Sequence, residues 1–498
     1  MTAETRAPFA ALGGKTPEEV FGGLVTPCYI LDEGQLKRNG EILAGVAART
    51  GCKFLLAQKA FSNYDCYPVL APYLAGTEAS GLFEARLGFE ELPEKEVHVF
   101  CGAYREQDFE ELLRYAGHIV FNSPSQLAKF GPRARAAGKS LGLRINPERS
   151  TQEGHEIYDP CAPGSRLGTT RAQWDKQMTP ALVALLDGLH FHTLCEQDAD
   201  ALEVTLGAVA EKFGDVLPKM KWLNMGGGHH VTRPDYDIPR LERCIRFAQA
   251  KWGVTVYLEP GEAWALNAGF LASRVLDLTE NNGVKNAILD CSAACHMPDV
   301  IEMPYQPPLY GAAAVQAADD RLHEGTGNRD QGSVPVGSDA HIAPVIASGN
   351  DAAAERRQEA VGGGVLDAPH VSGVFDAGKT DCHDQLCISS GSQICCTEAC
   401  IFGPSLKSAD WSRNDKSNVY RLGGPSCLSG DVIGDYEFDH PLQIGELVLF
   451  GDLAIYSTCK NNTFNGMPLP DIYRRKEDGS LERLTSFGYR DFKYRLGR

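Results

Sequence analysis

From about residue 24 to 262 the chain alternates short β-rich runs with longer amphipathic ones, and this alternation restricts the fold more than any other feature. Seven runs read as strands: CKFLLAQ (52–58), EVHVFCG (96–102), HIVFN (118–122), SLGLRIN (140–146), GLHFHT (188–193), KWLNMGG (221–227) and VTVYLEP (254–260). TEAS, near 77–80, is a weaker eighth. Between them, stretches such as EQDFEELLRYAG and LERCIRFAQAKWG carry apolar residues at i, i+3 and i+4 and end in glycine, the pattern of a helix with one buried face. Strand–helix alternation builds parallel β/α units, and eight of them predict a (β/α)8 TIM-like barrel. An open doubly wound sheet is the alternative that pattern alone leaves standing.

After residue 262 the character changes. VLDL, NAILD, DVIGDYEF, GELVLFGD and AIYSTC are short, β-rich and separated by Gly, Asn and Pro, which predicts an all-β C-terminal domain. Two domains also suit the 498 residues of the chain, because a single core rarely grows past about 250–300. Fewer than one in five of residues 312–380 are Val, Ile, Leu or Phe, too few for a segment to build its own core. Residues 312–417 are therefore expected to be a low-complexity, disordered insertion. The predicted division is an N-terminal tail (1–23), a barrel (32–268), a β-domain assembled from 24–31, 269–311 and 418–498, and that insertion. Cys382, His383, Cys387, Cys395, Cys396 and Cys400 crowd within it, but their spacing matches no paired C-x2-4-C zinc pattern, and no metal site is expected.

The net charge is −17, from 65 acidic against 48 basic side chains. A broad nucleic-acid or anionic-membrane surface would be basic, so neither partner is expected. MTAETRAPFAALGGK lacks the apolar stretch of a signal peptide, and no apolar run reaches the roughly 20 residues needed to span a bilayer. The 16 cysteines show no secretory framework spacing. Reduced thiols and a cytoplasmic location are the expectation.

Polar residues follow several of these strands. Lys59 comes after CKFLLAQ, His192 ends GLHFHT, Gly226-Gly227-Gly228 follow KWLNM, and Glu259 closes VTVYL. In a β/α barrel such positions converge on the C-terminal rim, where these folds place their active sites. A glycine-rich turn offers bare N–H groups to a phosphate. A lysine in a partly apolar pocket forms a Schiff base with an aldehyde, a flat imidazole stacks on an aromatic ring, and a buried carboxylate keeps a pyridine nitrogen protonated. Together these features describe a site for pyridoxal 5'-phosphate.

Lys59 in LLAQKAF, His192 in HFHTLCE, GGGHH (226–230) and EPGEA (259–263) resemble the fold-type III pyridoxal-phosphate decarboxylases, relatives of ornithine and diaminopimelate decarboxylase. SAACHMPDVIEMPY (292–305), YRLGGPSCLSGDVIGDY (420–436) and KNNTFNGMP (460–468) resemble the carboxynorspermidine/carboxyspermidine decarboxylases in particular. The resemblance spans about 24–311 and 418–498. It implies that Lys59 holds the cofactor covalently, His192 stacks on its ring, Glu259 pairs with its pyridine nitrogen, and Arg144 lies near its phenolic oxygen. Gly226, Gly227 and Gly228 would bind the phosphate, with Tyr456 closing over it. Cys427 would return the proton, with Asp431 in the same loop, both reaching the site of the other subunit of a homodimer with shared active sites. The implied substrate is a cationic carboxylated triamine, for which Glu196, Glu262 and Asp299 are the candidate acidic partners. A racemase of the same fold would need a second base, usually tyrosine, where GGPSCLSGD offers Cys427. A non-catalytic homologue would have lost Lys59 or Cys427, and both are present.

Overall fold

The computed structural model describes residues 7–152, 159–315 and 418–497. Strand β1 (Cys28–Asp32) leads into a helix, Glu33–Thr50, that Asp32 caps and Gly51 ends. Eight strands follow: β2 (Lys53–Ala57), β3 (Gly76–Ala79), β4 (Glu96–Phe100), β5 (His118–Phe121), β6 (Ser140–Arg144), β7 (Gly188–His190), β8 (Trp222–Asn224) and β9 (Thr255–Leu258). Among the described residues these eight pair in parallel and in chain order, and they close where Lys53 and Phe54 meet Tyr257 and Leu258. The barrel is therefore the correct reading and the open sheet is not. TEAS, with all four of its residues polar or small, was the faintest signal because its side chains are buried by closure of the barrel rather than by an apolar pattern of their own.

The predicted helices form where the periodicity placed them. Glu106–Tyr115 buries Phe109, Leu112 and Leu113. Ile238–Trp252 buries Leu241, Ile245 and Ala248 and ends at Gly253, whose N–H returns to Gln249. Inside the barrel the Trp222 indole lies across Gly142 and Gly188, and a Cβ on Gly188 would sit 2.0 Å from the ring. Only glycine leaves room for that ring at the centre of the sheet.

The second domain is a sheet. Strands β10 (Gly269–Asn281), β11 (Val284–Leu289), β12 (Ala312–Ala314), β13 (Val419–Gly423), β14 (Val432–Phe438), β15 (Leu447–Gly451), β16 (Asp471–Arg475) and β17 (Leu481–Thr485) join β1 in the order β12-β14-β13-β11-β10-β1-β16-β17, with β15 on β10. Two boundaries differ from expectation. Ala312–Ala314, assigned to the insertion, is a strand paired with β14, because backbone hydrogen bonding holds a run of alanines that has little apolar signal. Within 1–23, Phe9, Leu12 and Phe21 pack on Phe270 and Ile30 rather than trailing free. Residues 316–417, including the cysteine cluster, lie outside the described residues.

The two domains meet at the C-terminal rim. The Tyr456 N–H donates to the Ala60 carbonyl at 2.9 Å, bringing the sheet domain against the turn that carries Lys59. No helix among the described residues is long and apolar enough to cross a membrane.

Candidate functional site

Glu259, one residue past β9, is buried between two donors. His190, at the end of β7, lies 3.0 Å from Oε2, and the Asn224 amide, at the end of β8, donates to Oε1. Burial alone would favour the neutral acid, but His190 and Asn224 hold the carboxylate below its usual range. Desolvation keeps the His190 imidazole neutral, so its Nε2 carries the proton toward Glu259. His190 in turn stacks on Phe100 at 5.4 Å between centroids, and the Arg144 guanidinium lies over the Phe100 ring at 4.6 Å. Arg144 also donates to the His192 carbonyl at 3.0 Å. Burial pulls its pKa down to about 10.

His192, Arg144 and Glu259 thus stand together on the rim. The glycine turn does more than expected. The Gly226 N–H donates to Asn224 Oδ1 at 2.9 Å, and the Gly227 N–H donates to His192 Nδ1 at 3.1 Å. Two of the three amides assigned to a phosphate instead hold side chains of the ring pocket. Gly226 has a φ of 74°, and a Cβ there would sit 2.4 Å from the Phe191 carbonyl, so this turn requires glycine.

Lys59 sits on the rim, exposed rather than in the apolar pocket expected of it. Its neighbours are acidic. Glu78, on β3, is buried, and desolvation, with the charge of Glu259 nearby, pushes its pKa well above the carboxylate range, against the pull of Lys59. Glu84 is likewise raised by burial, and its carboxylate accepts from the Ser80 N–H at 2.6 Å. Two buried carboxylates are therefore pushed in opposite directions, Glu259 toward the ionised form and Glu78 toward the protonated one, a separation typical of acid–base sites. Glu78 escaped the sequence reading because a glutamate in a weak strand looks solvated. Tyr456 adopts a φ of 51°, and the Lys460 ammonium lies over its ring at 5.4 Å.

The three acidic candidates do share one region. Tyr305, whose phenol is raised by desolvation, also feels Asp452, Asp299, Glu196 and Glu262. Asp452, absent from the sequence reading, is pushed up to about 6 by burial and by Glu262, although its Oδ1 accepts from the Asn267 N–H at 2.6 Å. Glu262 pairs with His230 of the glycine turn. Burial would keep His230 neutral, but that carboxylate raises its pKa. Asp299 pairs with Lys460, which also reaches Glu302 at 2.7 Å.

Cys427 and Asp431 lie on the loop between β13 and β14. Cys427 is exposed and its sulfur accepts from the Asn465 amide at 2.6 Å. Asp431 is buried, accepting from Ser292 Oγ at 2.9 and 3.0 Å, from Ser426 Oγ at 2.5 Å and from the Ala294 N–H at 3.3 Å. Its carboxylate orders the loop, and no bond joins either residue to Lys59 within the described chain. At the other end of the barrel, Glu96, His98 and His118 bring ligand atoms within 4.8 Å of one another. The Lys53 ammonium already holds Glu96, and the imidazoles stack at 3.9 Å in nearly parallel planes, so their in-plane lone pairs do not converge on one ion.

This donor set fits pyridoxal 5'-phosphate: a rim amine, an ionised carboxylate for a pyridine nitrogen, a fixed flat imidazole and a glycine turn that any side chain would obstruct. Fold and rim together define a pyridoxal-phosphate decarboxylase of fold type III, a carbon–carbon lyase. No protein-family model matches the chain. It is 34% identical over 470 residues, 94% of this chain and 98% of the relative, to a carboxynorspermidine/carboxyspermidine decarboxylase of Campylobacter jejuni. It is 33% identical over 478 residues, 96% of this chain and 97% of the relative, to a carboxyaminopropylagmatine decarboxylase of Synechocystis. The crystal structure of carboxynorspermidine decarboxylase from C. jejuni, complexed with norspermidine, matches with a TM-score of 0.69 at 32% identity, covering 95% of this chain and all of that one. Diaminopimelate decarboxylase from Helicobacter pylori shares the fold at a TM-score of 0.65 and 14% identity, over 97% of this chain and 99% of that one. The chain belongs to the carboxynorspermidine/carboxyspermidine decarboxylase family.

Proposed function

We propose that this chain removes the carboxylate of carboxynorspermidine or carboxyspermidine as carbon dioxide, giving norspermidine or spermidine, a step of polyamine biosynthesis. The observation that carries the substrate class is the gathering of Glu196, Glu262, Asp299 and Asp452 about Tyr305 on the rim. A triamine is cationic at its far end, and ammonium groups leaving water need carboxylate partners. In this reading the barrel (32–268) supplies the cofactor pocket, and the sheet of 24–31, 269–311 and 418–498 supplies its wall.

When bound, the cofactor supplies an electron sink for the pair left by the departing carboxylate. Lys59 provides the amine that tethers it. Glu259, kept ionised by His190 and Asn224, would pair with the ring nitrogen, and His192, pinned by Gly227, would present a flat face to the ring. Gly228 and Tyr456 would hold the phosphate. The Cys427 thiol returns one proton to the carbon that lost the carboxylate. Its exposure on a loop ordered by Asp431 supports delivery into the site of a second copy, as an isologous homodimer in the cytoplasm would allow.

A guanidinium-ended substrate is the second reading, favoured by the Synechocystis relative. A carbon dioxide release assay on carboxynorspermidine, carboxyspermidine, carboxyaminopropylagmatine, ornithine and diaminopimelate separates them. Turnover of either carboxytriamine above the others is the expected result. Preference for the agmatine derivative would move the assignment to the second reading, and turnover of ornithine or diaminopimelate alone would overturn both.

A further inference from the structure

The geometry points to Asn224 as a positioning residue that joins the ring end of the cofactor site to its glycine turn, an inference that rests on the cofactor reading above. Asn224 is fully buried at the end of β8. Its Nδ2 donates to Glu259 Oε1, and its Oδ1 accepts from the Gly226 N–H at 2.9 Å. The Gly226 carbonyl in turn accepts from the Glu259 N–H at 2.8 Å. These three bonds form a closed circuit through Asn224, Gly226 and Glu259. Each bond has a fixed direction: two have backbone N–H donors, and in the third the ionised carboxylate only accepts.

The circuit has a chemical consequence. An amide is the side chain of this size that donates to the carboxylate and accepts from the backbone at once. An aspartate would present acceptors to both, and two facing carboxylates in a buried site cannot both stay charged. The charge on Glu259 and the placement of the turn are therefore both tied to one side chain, which among the described residues makes no hydrogen bond to Lys59. His190 holds the opposite carboxylate oxygen at 3.0 Å, so removing the amide frees one edge of Glu259 and leaves the other fixed.

The test is equilibrium binding of pyridoxal 5'-phosphate, read by absorbance from pH 6 to 9, on wild type, Asn224→Asp, Asn224→Ala and Glu259→Gln. Circular dichroism and thermal midpoints of the cofactor-free forms serve as the folding control. Folded Asn224→Asp and Asn224→Ala should bind about tenfold more weakly than wild type at pH 8 or worse, as for a buried group left unpaired. For Asn224→Asp the ratio to wild type should approach one at pH 6, where a protonated carboxyl donates as the amide does, whereas Asn224→Ala should stay weak throughout. Wild-type binding by both variants would overturn the role, as would an Asn224→Asp defect that ignores pH or variants that fail to fold, since either marks a merely structural residue. Wild-type protein that takes up no cofactor would overturn the cofactor reading and this inference together; normal wild-type uptake with a weakened Glu259→Gln keeps that reading whatever Asn224 does.

Discussion

Lowering the pH from 7 to 5 should destabilise the chain through histidines that the fold keeps neutral. His296 is fully buried, its Nδ1 accepts from the Ser292 N–H at 3.1 Å and its Nε2 faces the Pro468 carbonyl at 3.0 Å. Both nitrogens are used by a single neutral tautomer. A second proton would set an N–H against the Ser292 N–H. Burial pushes this imidazole down to about 4, and it does the same to His229, also to about 4, in the glycine turn. In the unfolded chain each titrates near 6.5, so between about 6.5 and 4 the unfolded state binds protons that the folded state refuses, and stability falls as pH falls. Linkage gives about 1.4 kcal/mol per pH unit for each histidine, or about 2 kcal/mol each by pH 5. Urea denaturation of wild type and His296→Gln at pH 7, 6 and 5 measures this directly. Glutamine can still accept at one end and donate at the other, so the variant should fold and should lose about 2 kcal/mol less between pH 7 and 5. A loss of equal size in both proteins would refute the argument.

Two further outcomes follow from the rim. Gly226→Ala places a side chain at a φ of 74° and 2.4 Å from the Phe191 carbonyl; the backbone preference alone costs about 1–2 kcal/mol, and the shift needed to clear the carbonyl moves Asn224 and His192, so both thermal midpoint and cofactor affinity should drop. An unchanged cofactor affinity, measured by absorbance titration, would contradict that coupling. Lys460→Met removes the ammonium that holds Asp299 and Glu302. If Asp299 receives the far amine of the polyamine, spermidine and norspermidine should bind about two- to fivefold more tightly in calorimetry, the range of a partly exposed ion pair, and unchanged binding would remove Asp299 from the substrate site.

How much of this was legible in the sequence depends on whether a residue's role is local. Lys59, His192, Gly226 and Glu259 could be placed on one rim because each follows a strand whose apolar character is plain in one dimension. Glu78 could not, since its burial arises from closure of the barrel around a strand with little apolar signal. Asn224 and His190 were hidden for another reason: their partners lie on neighbouring strands, and pairing β7 with β8 and β8 with β9 fixes which ends meet. A trace of the signal was nevertheless present. His190 and Asn224 are the last residues of β7 and β8, each two positions before a predicted site residue, His192 and Gly226. Parallel strands in register then set His190 opposite Asn224, with Glu259 one residue beyond β9. Once a barrel is granted, the buried, donor-bearing side chains at the strand ends beneath the rim, as His190 and Asn224 are beneath Glu259, are where positioning roles in such a site should be sought.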